Sequence, residues 1–225
     1  MQTREAYCFL LGLSTGATIL TITSYRRVSP AWLKWLLMGS GMLLITHYLT
    51  LALLTTPAPL HDTWPLRFVW HTMSMTLLFP GVMAIDQLLR HPAMSPKTLL
   101  TWLAPVLTAD AVIGSLARLT VTPNPAGGWI SSLDSGSMLL GTLLHEAVLV
   151  TAIAACLLLI RKPLPRLMRQ ALAGLAGGFA VFGIMLALFA ARQWLQIPLL
   201  LSEVLLLLAL WYAYETGAEL QRTGG

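Results

Sequence analysis

Runs of about 20 mostly apolar residues, the length needed to cross a bilayer as a helix, recur along the whole chain. Seven can be drawn: 7–24, 32–54, 67–88, 99–119, 136–160, 170–191 and 197–215. Proline and glycine punctuate them at Ser29-Pro30, Pro57-Ala58-Pro59, Pro92 with Pro96, Pro123-Asn124-Pro125, and Pro163 with Pro165. Only Arg192 to Gln196 separate the sixth run from the seventh, which predicts a tight helical hairpin. The pattern predicts an all-α fold: one polytopic transmembrane domain over residues 1–225, a bundle of about seven helices. The longest connection, 120–135, leaves no room for a soluble domain.

Composition narrows the class further. The chain is 56% hydrophobic and 10% charged, with a mean hydropathy of +0.74. Soluble domains carry about 25% charged residues, so these charges are too few to coat a water-exposed globule. The lipid bilayer is the expected partner. The net charge of +5 does not imply nucleic acid, because the basic residues lie in short connections between apolar runs. There they read as topology signals.

Arg26, Arg27, Lys34, Arg90, Lys97, Arg161, Lys162, Arg166, Arg169 and Arg222 fall on one side, ten of the fourteen Lys and Arg residues. That side is expected to be the cytoplasm, with the N-terminus outside and the C-terminus inside. Arg4, Arg67, Arg118 and Arg192 remain on the other side, with the interfacial aromatics Trp64, Trp129 and Trp194. The expected location is a bacterial inner membrane. The first run lacks a basic start, a short apolar core and a small-residue cleavage site, so it reads as a retained helix. Asp86 stands one turn from Arg90, an ordinary pairing distance on a helix. Cys8 and Cys156 fall at opposite ends of spans, too far apart for a disulfide.

Against this background six ionisable residues stand out inside the apolar runs: His47, His71, Asp110, His145, Glu146 and Glu203. Such groups are costly in a bilayer and mark functional sites by default. At about 1.5 Å per residue, His71 lies roughly 6 Å below the outer boundary, His47 and Glu203 roughly 10 Å, and Asp110 and His145 roughly 14 Å. All six therefore belong to the outer half.

His47, His71 and His145 come from three different helices. Neutral imidazole suits copper, zinc and haem iron, with a carboxylate often orienting the second ring nitrogen. Asp110 and Glu203 are the better candidates for that carboxylate or for proton handling. Glu146 follows His145 by about 100° around the helix and shares its ligand direction poorly. Met75 stands one turn below His71, and a thioether beside imidazole suits Cu(I). The metal candidates are thus His47, His71, Met75 and His145, with copper as the possible cofactor. The competing reading is that each histidine bonds a neighbouring helix and that the methionines fill gaps.

Several enzyme classes fall away. His145-Glu146 begins an HExxH-like pattern, but Leu149 stands where the second histidine belongs. None of the three lysines is in a span interior, which excludes a retinal Schiff base. A haem pair spanning both membrane halves needs an inner-half histidine, and the one on that side, His91, is in a connection. A single haem near the outer face stays open. His61 lies in an outer loop. There is no nucleophile elbow and no phosphate-binding loop, so the chain does not read as an enzyme.

Taken in order, the polar positions resemble the seven-span family of caa3-type cytochrome c oxidase assembly factors. "WHTMSMTLLFPG" at 70–81 resembles that family's HMxxH segment, with His71 matching the first histidine and Met75 in place of the second. "WLAPVLTADAV" at 102–112 resembles a W-H-x-P…Y-D-A-A-L segment through Trp102, Pro105, Asp110 and Ala111, with Leu103 replacing the histidine. "LLHEAVLV" at 143–150 resembles an E-H pair in reversed order. In "LLLSEVLLLLALW" at 199–211, Glu203 and Trp211 stand where an acidic residue precedes a Met-Trp pair.

The resemblance covers most of the chain. It implies an accessory protein for respiratory oxidase assembly, with transient copper handling at the outer face and oxidase subunits or copper chaperones as partners. The residues themselves leave two other classes open. One is a proton- or ion-coupled transporter or sensory module using Asp110 and Glu203, with Gly174, Gly177 and Gly178 allowing close helix approach or a hinge. The other is a haem- or quinone-binding anchor subunit.

Overall fold

The computed structural model of the chain describes residues 4–54, 64–89, 95–123, 129–191 and 196–223, with side chains described over 5–52, 76–89, 95–118, 134–190 and 197–222. The described residues form seven helices: α1 (Arg4–Tyr25), α2 (Ala31–Leu54), α3 (Trp64–Leu89), α4 (Pro96–Leu116), α5 (Ser135–Ile160), α6 (Arg166–Ala191) and α7 (Gln196–Thr223). All except α3 are long and apolar enough over their described residues to cross a membrane. In α3 the described side chains begin at Thr76 and form a shorter apolar stretch to Leu89.

Local chemistry sets the helix ends. Ser95 caps α4 by accepting from the Thr98 N–H, and Pro96 follows at the first helical position, where its missing N–H is not needed. Asp134 caps α5 through the Ser137 N–H. Pro163 and Pro165 follow the end of α5 and prevent its continuation.

Two features depart from the hydropathy reading. First, the 120–135 connection contains an antiparallel hairpin, β1 (Leu119–Pro123) paired with β2 (Trp129–Leu133), in register from Leu119↔Leu133 to Pro123↔Trp129. The fourth helix accordingly stops at Leu116, short of the expected 119. Second, α7 runs on to Thr223, well past the end of its apolar run at 215. A helix needs no apolar side chains to continue beyond lipid, and Glu215 is held there by an ion pair with Arg27 in the turn after α1.

Successive helices pack on one another, and α7 closes the ring by packing on α1. The third helix also touches α5, α6 and α7, so it is drawn toward the centre. Leu172, Leu175, Phe179 and Phe182 of α6, Met83 of α3 and Leu206 of α7 are fully buried there. Glycines permit the close crossings. A Cβ on Gly81 would lie 2.5 Å from the Phe179 ring, and one on Gly178 would lie 3.3 Å from the Leu206 backbone. Gly174 and Gly177 have open space instead.

The exterior is apolar: Phe9, Ile19, Leu140, Leu158, Ile184 and Leu205 are all well exposed. So extensive an apolar surface fits contact with lipid rather than with water. Polar groups turn inward. Ser14, Thr18, Thr21 and Ser24 line the buried face of α1. The Thr18, Thr21 and Ser24 hydroxyls bond carbonyls one turn back, and Thr21 also reaches the Leu207 carbonyl of α7. At one end, Tyr25 and Tyr214 meet edge to face with centroids 4.8 Å apart, and the Tyr214 hydroxyl donates to the Pro80 carbonyl. Together they tie α1, α3 and α7.

Candidate functional site

Five of the six membrane-depth ionisable residues have described side chains, and they fall into separate groups. On α7, Glu203 sits between Ser202 and Val204, all buried. On α2, Tyr48 lies on a buried face with Leu44 and Leu51. Its hydroxyl donates to Glu203 Oε2 at 2.9 Å. Ser14 of α1 lies beside the same hydroxyl. Glu203 Oε1 has no hydrogen-bond partner among the described residues, although the residue is only 1% exposed. His47 is buried next to Tyr48, with ring centroids 5.6 Å apart and nearly perpendicular.

The second group joins α4 to α5. His145 is 3% exposed and Asp110 1%, and His145 Nε2 faces Asp110 Oδ1 at 3.7 Å. That is too long for a direct hydrogen bond. His145 Nδ1 bonds the Gly141 carbonyl one turn back. A carbonyl only accepts, so Nδ1 carries the proton. A neutral imidazole then presents a bare lone pair at Nε2 toward Asp110. Neither Nε2 nor Oδ1 has a hydrogen-bond partner among the described residues. The pair lacks a donor when His145 is neutral and Asp110 ionised, and gains one when either takes up a proton, which suits it to proton exchange.

Glu146 points elsewhere, as its 100° offset from His145 predicts. Its carboxylate lies over Gly183 of α6, where a Cβ would be 3.1 Å from Oε2. The missing side chain of Gly183 makes that room. Among the described residues neither Asp110 nor Glu203 is paired with a lysine or arginine.

His71 and Met75 lie on α3, in the part whose side chains are outside the described residues. His61, His91 and Arg90, the expected partner of Asp86, lie outside them as well. Among the described residues no group of three His, Cys, Asp or Glu side chains could hold a metal ion. His47 accompanies Tyr48 and Glu203, whereas His145 accompanies Asp110. Cys8 and Cys156 form no disulfide.

The sequence reading did not single out Tyr48, Gly141 or Gly183. Gly141 had a usable signal, since it stands one turn before a membrane-depth histidine. Tyr48 adjoins His47 but looks like an ordinary aromatic in an apolar run.

Where α4 meets α5, Asp134 joins the two ends. Its carboxylate accepts from the backbone N–H of Ser137 and Arg118 and from the Ser137 hydroxyl, at 3.0, 3.1 and 2.8 Å. These bonds, the Ser137 backbone first, hold the carboxyl down at about 2.

No protein-family model matches this sequence, and no curated protein matches it.

Proposed function

We propose that this chain is an integral membrane protein with its N-terminus outside, and that it couples protons to transport or signalling through Glu203 and Asp110. The observation that carries this reading is the burial of both carboxylates within apolar helices with no lysine or arginine partner among the described residues. Each faces a group suited to proton exchange instead: Tyr48 for Glu203 and His145 for Asp110. Ionisable groups placed this way in membrane helices mark proton and ion pathways.

The test is proton flux in liposomes under an imposed pH gradient. Wild type is expected to conduct, and Glu203→Gln or Asp110→Asn to lower the flux by about tenfold, the scale of one lost charge-assisted bond. Flux at the level of empty liposomes in wild type rules the reading out.

A second reading keeps the resemblance to oxidase assembly factors: an accessory protein in a bacterial inner membrane that holds copper transiently. The bare Nε2 of His145 favours it, because that lone pair is the one a metal takes. His71 and Met75 complete the proposed ligand set, while His47 packs beside Tyr48 in the other group. Equimolar Cu(I) retained by wild type and lost in His145→Ala supports it. Absence of bound Cu(I), together with normal oxidase in a His71→Ala strain, rules it out.

A further inference from the structure

The end of the bundle proposed to face the cytoplasm carries an uneven charge. Lys97 in the first turn of α4, and Arg161 and Lys162 just past the end of α5, are exposed and in no ion pair among the described residues. Among the described residues, the acids that reach the surface at this end are Glu215 and Glu219. Both are on α7, which packs on α1, α3 and α6. The side formed by α4 and α5 is therefore purely basic.

A groove of about 400 Å³ begins at the same place, between α3, α4 and α5. Its walls include Val82 and Ile85 of α3, Leu99 and Val106 of α4, and Val148 and Ala155 of α5. Leu89, the last residue of α3, and Leu99, one turn into α4, mark its inner end. From Ala155 back to Leu144 it follows α5 for roughly 16 Å, about half of a 30 Å hydrocarbon core. The groove is thus one leaflet deep. Its volume over that length gives a cross-section of about 25 Å². A helix about 10 Å across needs roughly 80 Å², so the groove suits a single hydrocarbon chain and not a partner helix. The lining asks for no polar partner. Thr151 bonds its hydroxyl to the Ala147 carbonyl, and Asp86, the charged residue on the wall, is only 7% exposed. Trp102 lines the groove and is 78% exposed, so the groove opens sideways toward lipid.

We infer that the groove holds one acyl chain of an anionic phospholipid of the inner leaflet, with its phosphate among Lys97, Arg161 and Lys162. Lys97 stands about 3 Å beyond Leu99 along α4, and Arg161 about 9 Å beyond Ala155 along α5, at the level of lipid headgroups. Basic residues between span ends hold anionic heads in this way. A zwitterionic lipid offers the same chains, but its ammonium is opposed by these cations. The inference rests on the membrane placement and orientation proposed above and uses none of the proton chemistry.

The test uses the detergent-purified full chain, washed free of endogenous lipid and titrated with dioleoyl phosphatidylglycerol or dioleoyl phosphatidylcholine. Lipid retained after gel filtration is counted by native mass spectrometry. About one phosphatidylglycerol per chain is expected, at roughly tenfold lower lipid concentration than phosphatidylcholine requires. Lys97→Gln and Lys162→Gln should each weaken phosphatidylglycerol retention by about fivefold and leave phosphatidylcholine unchanged. Val106→Phe narrows the groove and should weaken retention of both lipids in monodisperse protein. Equal retention of the two lipids by wild type overturns the inference, as does retention of neither, or unchanged phosphatidylglycerol retention in Val106→Phe. Lipid retention without liposome proton flux would keep this site while removing the transport reading; flux without retention would do the reverse.

Discussion

The Tyr48 hydroxyl donates to the Glu203 carboxylate at 2.9 Å, joining α2 to α7 in an interior that gives neither group access to water. Removing the hydroxyl leaves Glu203 with both oxygens unsatisfied among the described residues. Tyr48→Phe should therefore destabilise by about 1–3 kcal/mol, the cost of stranding a buried acceptor. Glu203→Gln retains an acceptor for Tyr48 and should cost less. Thermal unfolding of the detergent-solubilised variants compares them, and a neutral Tyr48→Phe contradicts the arrangement.

The proton on His145 is assigned to Nδ1 by the Gly141 carbonyl. Nitrogen NMR on histidine-labelled protein should show Nδ1 protonated and Nε2 bare near neutral pH. The reverse tautomer would contradict the bond from Nδ1 to the Gly141 carbonyl.

Gly81 lets α3 and α6 meet, with the Phe179 ring occupying the space a Cβ would need. Gly81→Ala should destabilise by about 1–3 kcal/mol through overpacking. Phe179→Leu in the same background should recover part of that loss. If Gly81→Ala is silent alone, the crossing is looser than described.

Asp134 gives a pH signature. Its carboxyl is lowered to about 2 in the folded protein by the Ser137 and Arg118 backbone donors and the Ser137 hydroxyl. A depressed folded value means that the stabilisation is complete above the unfolded value near 4. It is then lost as pH falls through about 2. Asp134→Ala should melt below wild type at pH 6, and the gap should close between about pH 4 and pH 2. A gap that is constant with pH would show that the carboxylate charge plays no part.

Membrane topology has a direct check. In a background with Cys8→Ser, an impermeant maleimide applied to intact cells should label Ser135→Cys and spare Arg161→Cys until the membrane is opened. The opposite pattern would invert the proposed orientation.

Helix count, order and approximate bounds were legible because a bilayer imposes one length on every span and prolines mark the connections. The hairpin was not. A window of about twenty residues averages over five-residue strands, and Leu119–Pro123 looks like the frayed end of an apolar run. The tail of α7 was missed because hydropathy reports lipid contact rather than helicity. Within the site, residue identities were legible as isolated charges in apolar runs. Their pairing was not, because hydropathy does not fix helix rotation. It takes the rotation of α4 and α5 to bring Asp110 to His145.

Arg118 and Asp134 exchange hydrogen bonds, Asp134 N–H to the Arg118 carbonyl and Arg118 N–H to the Asp134 carboxylate. This closes the neck of the β1–β2 hairpin. The separation between the end of α4 and the start of α5 is thus fixed at the neck, whatever length of chain joins the strands. Lengthening that segment costs only about 0.6 kcal/mol per doubling of a flexible loop. The chain joining the strands thereby offers an insertion point for a bulky reporter or rigid imaging tag, with the neck and the helices below keeping their positions.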